Sequence, residues 1–315
     1  MTVRSGGSVG STPEQLCDLL GIQRPVLSAP MAKIAGGRLA AAVADAGGLG
    51  IVGAGYGDPR WLAAEMAETE GRRVGIGLIT WAVDRVAVET ALQYGPAAMW
   101  LAFGDPTPYV PVAHDAGVRV VCQVGTVPEA RAAAAAGADV LVAQGTEAGG
   151  HGRPVLPAVE AVAAITRAVG DLPVVAAGGI VDRPDYDLAV AAGAAGVALG
   201  TVLYATDEAA DSLAAKERIV DAGEGETVRS VIYDLLRGPE WPPGYTGRSL
   251  RSAFTDRWAD RLDGLRGDLD AHRLRYQRAV ECDDVSLRVV WAGEGAAAID
   301  RVCSAAEVVQ RFPKV

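Results

Sequence analysis

Short, nearly unbroken apolar runs alternate along the chain with Ala-rich segments whose apolar positions recur at helical spacing. Eight runs read as strands: Val26–Met31, Leu49–Ala54, Val74–Thr80, Ala97–Phe103, Val118–Val124, Val140–Gln144, Pro173–Ile180 and Gly196–Thr201. A strand with little polar alternation is expected where a parallel sheet is buried on both faces. Helices are predicted over Gly37–Ala46, Pro59–Glu70, Asp84–Tyr94, Pro108–Ala116, Pro128–Ala136, Leu156–Val169 and Pro184–Ala192, with an eighth from near Asp207 to before Gly223. Several end in Ala-Gly (46–47, 116–117, 136–137, 192–193) and drop straight into the next strand, as a left-handed cap and a tight turn allow. Eight such units predict an α/β fold, a (β/α)8 TIM barrel. An open doubly wound sheet is the competing arrangement.

Past Gly223 the texture changes. Arg218–Gly238 reads as helix with a break near Gly223, 239–244 (PEWPPG) is a loop, and Leu250–Asp268 is helical, charged and aromatic. Val285–Trp291 is apolar, and a Gly-rich turn then leads to a last helix ending near Phe312. The predicted organisation is an N-terminal tail (1–14), a barrel (15–222), a C-terminal helical lid subdomain (223–284) and a segment returning to the barrel (285–315).

Composition narrows the partners. The net charge of −10 argues against nucleic acid, which demands a basic face, and against an anionic membrane surface or an acidic carrier protein. Cys17, Cys122, Cys282 and Cys303 form no C-x-x-C pair, so no metal site is expected. The opening residues lack the apolar stretch of a signal peptide, which makes a cytoplasmic location the expectation. A homodimer is allowed.

Barrel chemistry sits at the C-terminal ends of the strands. There the sixth run leads into Gln144-Gly-Thr-Glu-Ala-Gly149-Gly-His151, a histidine among glycines that let a ligand approach the backbone. The other two histidines, His114 and His272, fall on helical patterns and read as surface residues. Gly178-Gly179 at the end of the seventh run and Gly200-Thr201 at the end of the eighth form the usual phosphate cradle of this fold. The first run ends in Ala29-Pro30-Met31 and the fifth carries Gln123, a donor and acceptor for a flat heterocycle. Cys122 points opposite to Gln123 and reads as packing. Trp241, Tyr245, Phe254 and Trp258 are candidates for a pocket in the lid or for anchoring it; Lys33 reads as a solvated loop residue.

Together, Ala29-Pro30-Met31, 45–50 (DAGGLG), Gln144 to His151, 177–180 (AGGI) and Gly200-Thr201 resemble the nitronate monooxygenase (2-nitropropane dioxygenase-like) family of FMN-dependent barrels. The resemblance implies FMN with its phosphate on Gly178, Gly179, Gly200 and Thr201. Its ring would lie over Ala29, Pro30 and Met31, Gln123 and Gln144 would reach polar atoms, and Gly149 would pack close by. His151 matches the active-site histidine. Three positions depart from the family pattern: Gly77 stands where many relatives carry Asn, so a side-chain contact to the flavin is missing or replaced by backbone, Gln123 stands where some carry Lys, and Gln144 replaces an acidic residue of some members. The implied reaction is oxidation of an alkyl nitronate by O2 to a carbonyl compound and nitrite, with His151 either taking an α-proton from a neutral nitroalkane or balancing charge. An enoyl-thioester reductase using FMN and NAD(P)H is the alternative, and it asks for a basic patch such as Arg248, Arg251 and Arg257. A flavin-free or catalytically silent barrel is a third.

Overall fold

The computed structural model describes residues 10–153 and 155–315. Most of the N-terminal tail (1–14) thus lies outside the described residues; a helix capped by Thr12 begins at Pro13 and runs to Leu20. Eight parallel strands form the predicted barrel: β1 (Val26–Ser28), β2 (Ile51–Gly55), β3 (Gly75–Ile79), β4 (Ala98–Ala102), β5 (Arg119–Val124), β6 (Val140–Gln144), β8 (Val174–Ala177) and β9 (Gly196–Leu199), with a short β7 (Gly150–Gly152) between β6 and β8. Their order is β1-β9-β8-β6-β5-β4-β3-β2, and the Leu27–Leu49 bridge between β1 and the start of β2 joins the two ends. This excludes the open sheet.

The apolar runs are buried as read. β2, β3 and β4 have no exposed residue. Inside the ring, Leu27, Leu49, Ile51, Val121, Val142, Val175 and Trp100 pack with Leu16 and Leu20 of the N-terminal helix, which closes the barrel floor. The opposite end is therefore the open one. Gly47, Gly117, Gly137 and Gly193 all adopt positive φ, as the Ala-Gly joins predict. The first strand is shorter than its apolar run. Pro30 has no N–H to give the ladder, and Met31 N–H turns back to Ala29 O at 2.8 Å.

The C-terminal third departs from the all-helical expectation. Thr227–Ser230 (β10) and Thr246–Leu250 (β11) pair antiparallel, and β11 also pairs with β7, making a three-stranded sheet. The local pattern predicted helix across 227–230, but its partners lie elsewhere in the chain, and long-range pairing overrides local preference. Around this sheet lie helices Ile232–Arg237, Ala253–Trp258, Leu262–Gly267 and Leu269–Glu281. Their shared core holds Ile232, Tyr233, Leu236, Phe254, Leu265 and Tyr276. The final helix is short, Ala305–Gln310, and packs on helix Gly37–Asp45. No helix among the described residues is long and apolar enough to cross a membrane.

Candidate active site

The open end of the barrel holds a cavity. Its lining includes Ala29, Pro30 and Met31 beyond β1, Gln123 of β5, Gln144 of β6, Gly149 and His151, Gly178 and Gly179 beyond β8, and Gly200 and Thr201 beyond β9. Eleven of the twelve residues singled out in the sequence thus meet around one space. Gly77 does not. Its open side is filled by the Pro30 ring, and a Cβ at position 77 would lie 2.2 Å from Pro30 Cβ. Gly77 stands behind the tip of strand one and lets it seat; an Asn there would displace it.

His151 lies on β7, opposite Gly247 of β11. A Cβ at Gly247 would meet the Trp291 ring at 2.4 Å, so the glycine makes room for that indole beside the imidazole. His151 Nε2 is 2.7 Å from Asp234 Oδ1, and both side chains are 8% exposed. A carboxylate can only accept, so Nε2 carries the hydrogen and Nδ1 keeps its lone pair. Trp241 stacks on the imidazole at 3.6 Å between centroids and 3° between planes. Trp291 lies on it at 4.9 Å. Burial pulls the His151 pKa below its ordinary value against the opposing pull of Asp234, and Arg237 and Arg229 lower it further. The net effect favours the neutral ring.

Both glutamines are partly committed. Gln144 Nε2 donates to His151 O at 2.9 Å, so this side chain also fixes the strand that carries the histidine. Gln123 Oε1 accepts from Trp100 Nε1 at 3.3 Å, leaving its amide hydrogens to donate elsewhere. The loop between β6 and β7 is held from behind. Arg248 reaches Thr146 O at 2.9 Å, and Arg229 reaches Ala148 O at 2.8 Å. Burial brings Arg229 down to about 10. Glu147 accepts from Ala158 N–H and anchors the helix that follows.

The glycine cradle has the form of an anion site. Gly178 and Gly179 have φ of 116° and 74°, which L side chains rarely adopt. A Cβ at Gly200 would meet only Ala29 Cβ, at 3.7 Å, so its open face belongs to the cavity. Thr201 Oγ1 accepts from Gly293 N–H at 2.9 Å and keeps its own hydrogen to donate.

The remaining candidates sort by position. Trp241 lines the cavity, and Tyr245 backs it at 5.9 Å; Phe254 belongs to the separate core of the C-terminal helices, and Trp258 packs against that core. His114 pairs with Asp139 at 2.9 Å, and His272 sits edge-on to Trp258. Lys33 is exposed and paired to Asp58. Cys122 is buried, with its thiol pushed up to about 12 by burial. The basic patch is not free: Arg248 turns inward to Glu294, Arg251 pairs with Asp256, and Arg257 lies over Trp258. Asp234, Arg237, Tyr56 and Trp291 were missed by sequence reasoning; Asp234 and Arg237 lie on a short amphipathic helix, where such charges ordinarily face water.

The nitronate monooxygenase family model matches residues 13–75 and 74–313. The nitronate monooxygenase npaC of Metarhizium robertsii is 35% identical over 302 residues, covering 86% of this chain and 81% of that protein. Among solved structures, FabK from Thermotoga maritima matches with a TM-score of 0.82 and 29% identity, over 99% of this chain and 95% of that one. Nitroalkane oxidase from Streptomyces ansochromogenes matches with a TM-score of 0.76 and 28% identity, over 94% and 96%. The protein described here is an oxidoreductase with a flavin cofactor, and it belongs to the nitronate monooxygenase family.

Proposed function

We propose that the protein binds FMN and oxidises alkyl nitronates with O2, and that His151 is its catalytic residue, with Asp234 holding it in place. The observation that carries this reading is the buried His151 held at 2.7 Å by Asp234 on the wall of a cavity that also contains the glycine cradle.

The cradle fits a phosphate: two positive-φ glycines, the open face of Gly200 and the free hydrogen of Thr201 converge there. The polar ends of Gln123 and Gln144 suit a flat heterocycle above Ala29, Pro30 and Met31. FMN, when bound, accepts electrons from the substrate and passes them to oxygen. Overall, two nitronate anions and one O2 give two aldehydes and two nitrites, so each nitronate carbon is oxidised and both oxygen atoms enter carbonyl groups. The protein supplies position and field. Asp234 fixes the tautomer of His151, Nδ1 is free to take the α-proton of a neutral nitroalkane, and Arg237 on the cavity wall favours an anionic substrate. The lid, proposed as residues 223–284, brings Asp234, Arg237 and Trp241 to the mouth.

The test is aerobic mixing of the flavin-loaded protein with propyl-1-nitronate, following nitrite and oxygen together. Nitrite release with oxygen uptake is the expected result. NADH oxidation coupled to an enoyl thioester, with no nitrite from the nitronate, would replace this reading with the reductase.

A further inference from the structure

Only 5% of the residues are aromatic, yet Tyr56, Trp81, Phe103, Trp241, Tyr245 and Trp291 gather at the mouth of this one cavity. They come from separate parts of the chain. Tyr56 follows β2, Trp81 follows β3, Phe103 follows β4, and the other three come from the C-terminal third. Trp241 is the hub, with Trp81 at 5.4 Å, Phe103 at 5.1 Å, Tyr245 at 5.9 Å and the imidazole stacked on it. Tyr56, Phe103, Trp241 and Trp291 face the cavity beside Ile34 and Ile79. Phe103 holds a φ of 64°, a left-handed conformation that disfavours a bulky L residue and is kept where the surroundings impose it. Trp241 Nε1 is buried on the cavity wall beside Tyr56.

We infer that the preferred substrates are aryl-substituted nitronates, whose ring enters this aromatic wall while the nitronate carbon lies at His151. A short alkyl nitronate leaves the wall unused. A phenyl ring meets several ring edges and faces there, in the offset and T-shaped geometries that aromatic pairs favour. The inference rests on the nitronate reading above and specifies its substrate class; the reaction is the same oxidation by O2 to aldehyde and nitrite.

The flavin-loaded protein is assayed for nitrite release from propyl-1-nitronate and from the nitronate of 2-phenylnitroethane. Burial of a phenyl ring predicts a kcat/KM about tenfold or more higher for the aryl compound. In Phe103→Leu that ratio falls, because the wall loses one of its rings. Nitrite from both compounds at equal kcat/KM would overturn the inference and leave the nitronate reading standing, the aromatic residues then serving only to seat the lid. Nitrite from neither would overturn the nitronate reading. The wall is then judged by quenching of tryptophan fluorescence with phenylacetate and with propionate. A Kd about tenfold or more lower for phenylacetate supports an aryl site; equal Kd values overturn it.

Discussion

Replacing Asp234 by Asn tests the pairing that helix Ile232–Arg237 delivers to the barrel mouth. The change keeps the size of the side chain and one oxygen acceptor but removes the charge. At 2.7 Å, with both partners 8% exposed, the contact belongs to the class of buried, charge-assisted hydrogen bonds. Such bonds contribute about 1.5–3 kcal/mol. At roughly 1.4 kcal/mol per factor of ten, D234N is expected to lower kcat/KM about 10- to 150-fold. The electrostatic sign is also fixed. Asp234 raises the His151 pKa against burial, so its removal moves the acid limb of the pH profile to lower pH. The assay is nitrite release from a neutral nitroalkane across pH, with flavin content measured on the same samples. A D234N enzyme with unchanged kcat/KM, or an acid limb displaced upward, would refute the reasoning; loss of flavin together with activity would assign Asp234 a structural role instead.

Further outcomes follow from the same geometry. His151→Asn is expected to retain flavin and lose most turnover, about 100-fold or more as for other general bases; full activity would remove His151 from the mechanism. In the wild type, His151 has a lowered pKa, so activity toward neutral nitroalkanes is flat at neutral pH and falls only on the acid side, below the ordinary imidazole range. A limb centred above that range would contradict it. Gly200→Val places a side chain on the open face of the cradle and should weaken flavin binding about tenfold or more while leaving the fold intact, read by flavin titration and thermal unfolding. Gly77→Ala drives a Cβ to 2.2 Å from Pro30 and should destabilise by about 1–3 kcal/mol in denaturant unfolding.

Much of this molecule is legible from its apolar pattern. Strands buried on both faces lose the alternation that a one-sided sheet shows, and the Ala-Gly joins mark where each helix returns to the ring. The ends of those strands then point to Gln123, Gln144, His151 and the two glycine pairs without any knowledge of the packing. What stayed hidden depends on pairing across the chain. Asp234 lies 83 residues from His151 on a short amphipathic helix, where a carboxylate ordinarily faces water. Strands β10 and β11 exist because β7 offers β11 an edge next to the histidine, a partner no local window contains. Arg248 looks like part of a basic surface in the sequence, yet it turns inward to carbonyls behind the loop. Gly77 is misleading for the opposite reason: its strand position is right, but the neighbouring Pro30 ring occupies the space a ligand contact would need.

The most direct test of the account is an anaerobic visible spectrum of the flavin-loaded protein, with an alkyl nitronate in one cuvette and NADH in another. Prompt reduction of the flavin by the nitronate, no reduction by NADH, and nitrite on admission of air are the expected results. Reduction by NADH with an inert nitronate would contradict the nitronate reading.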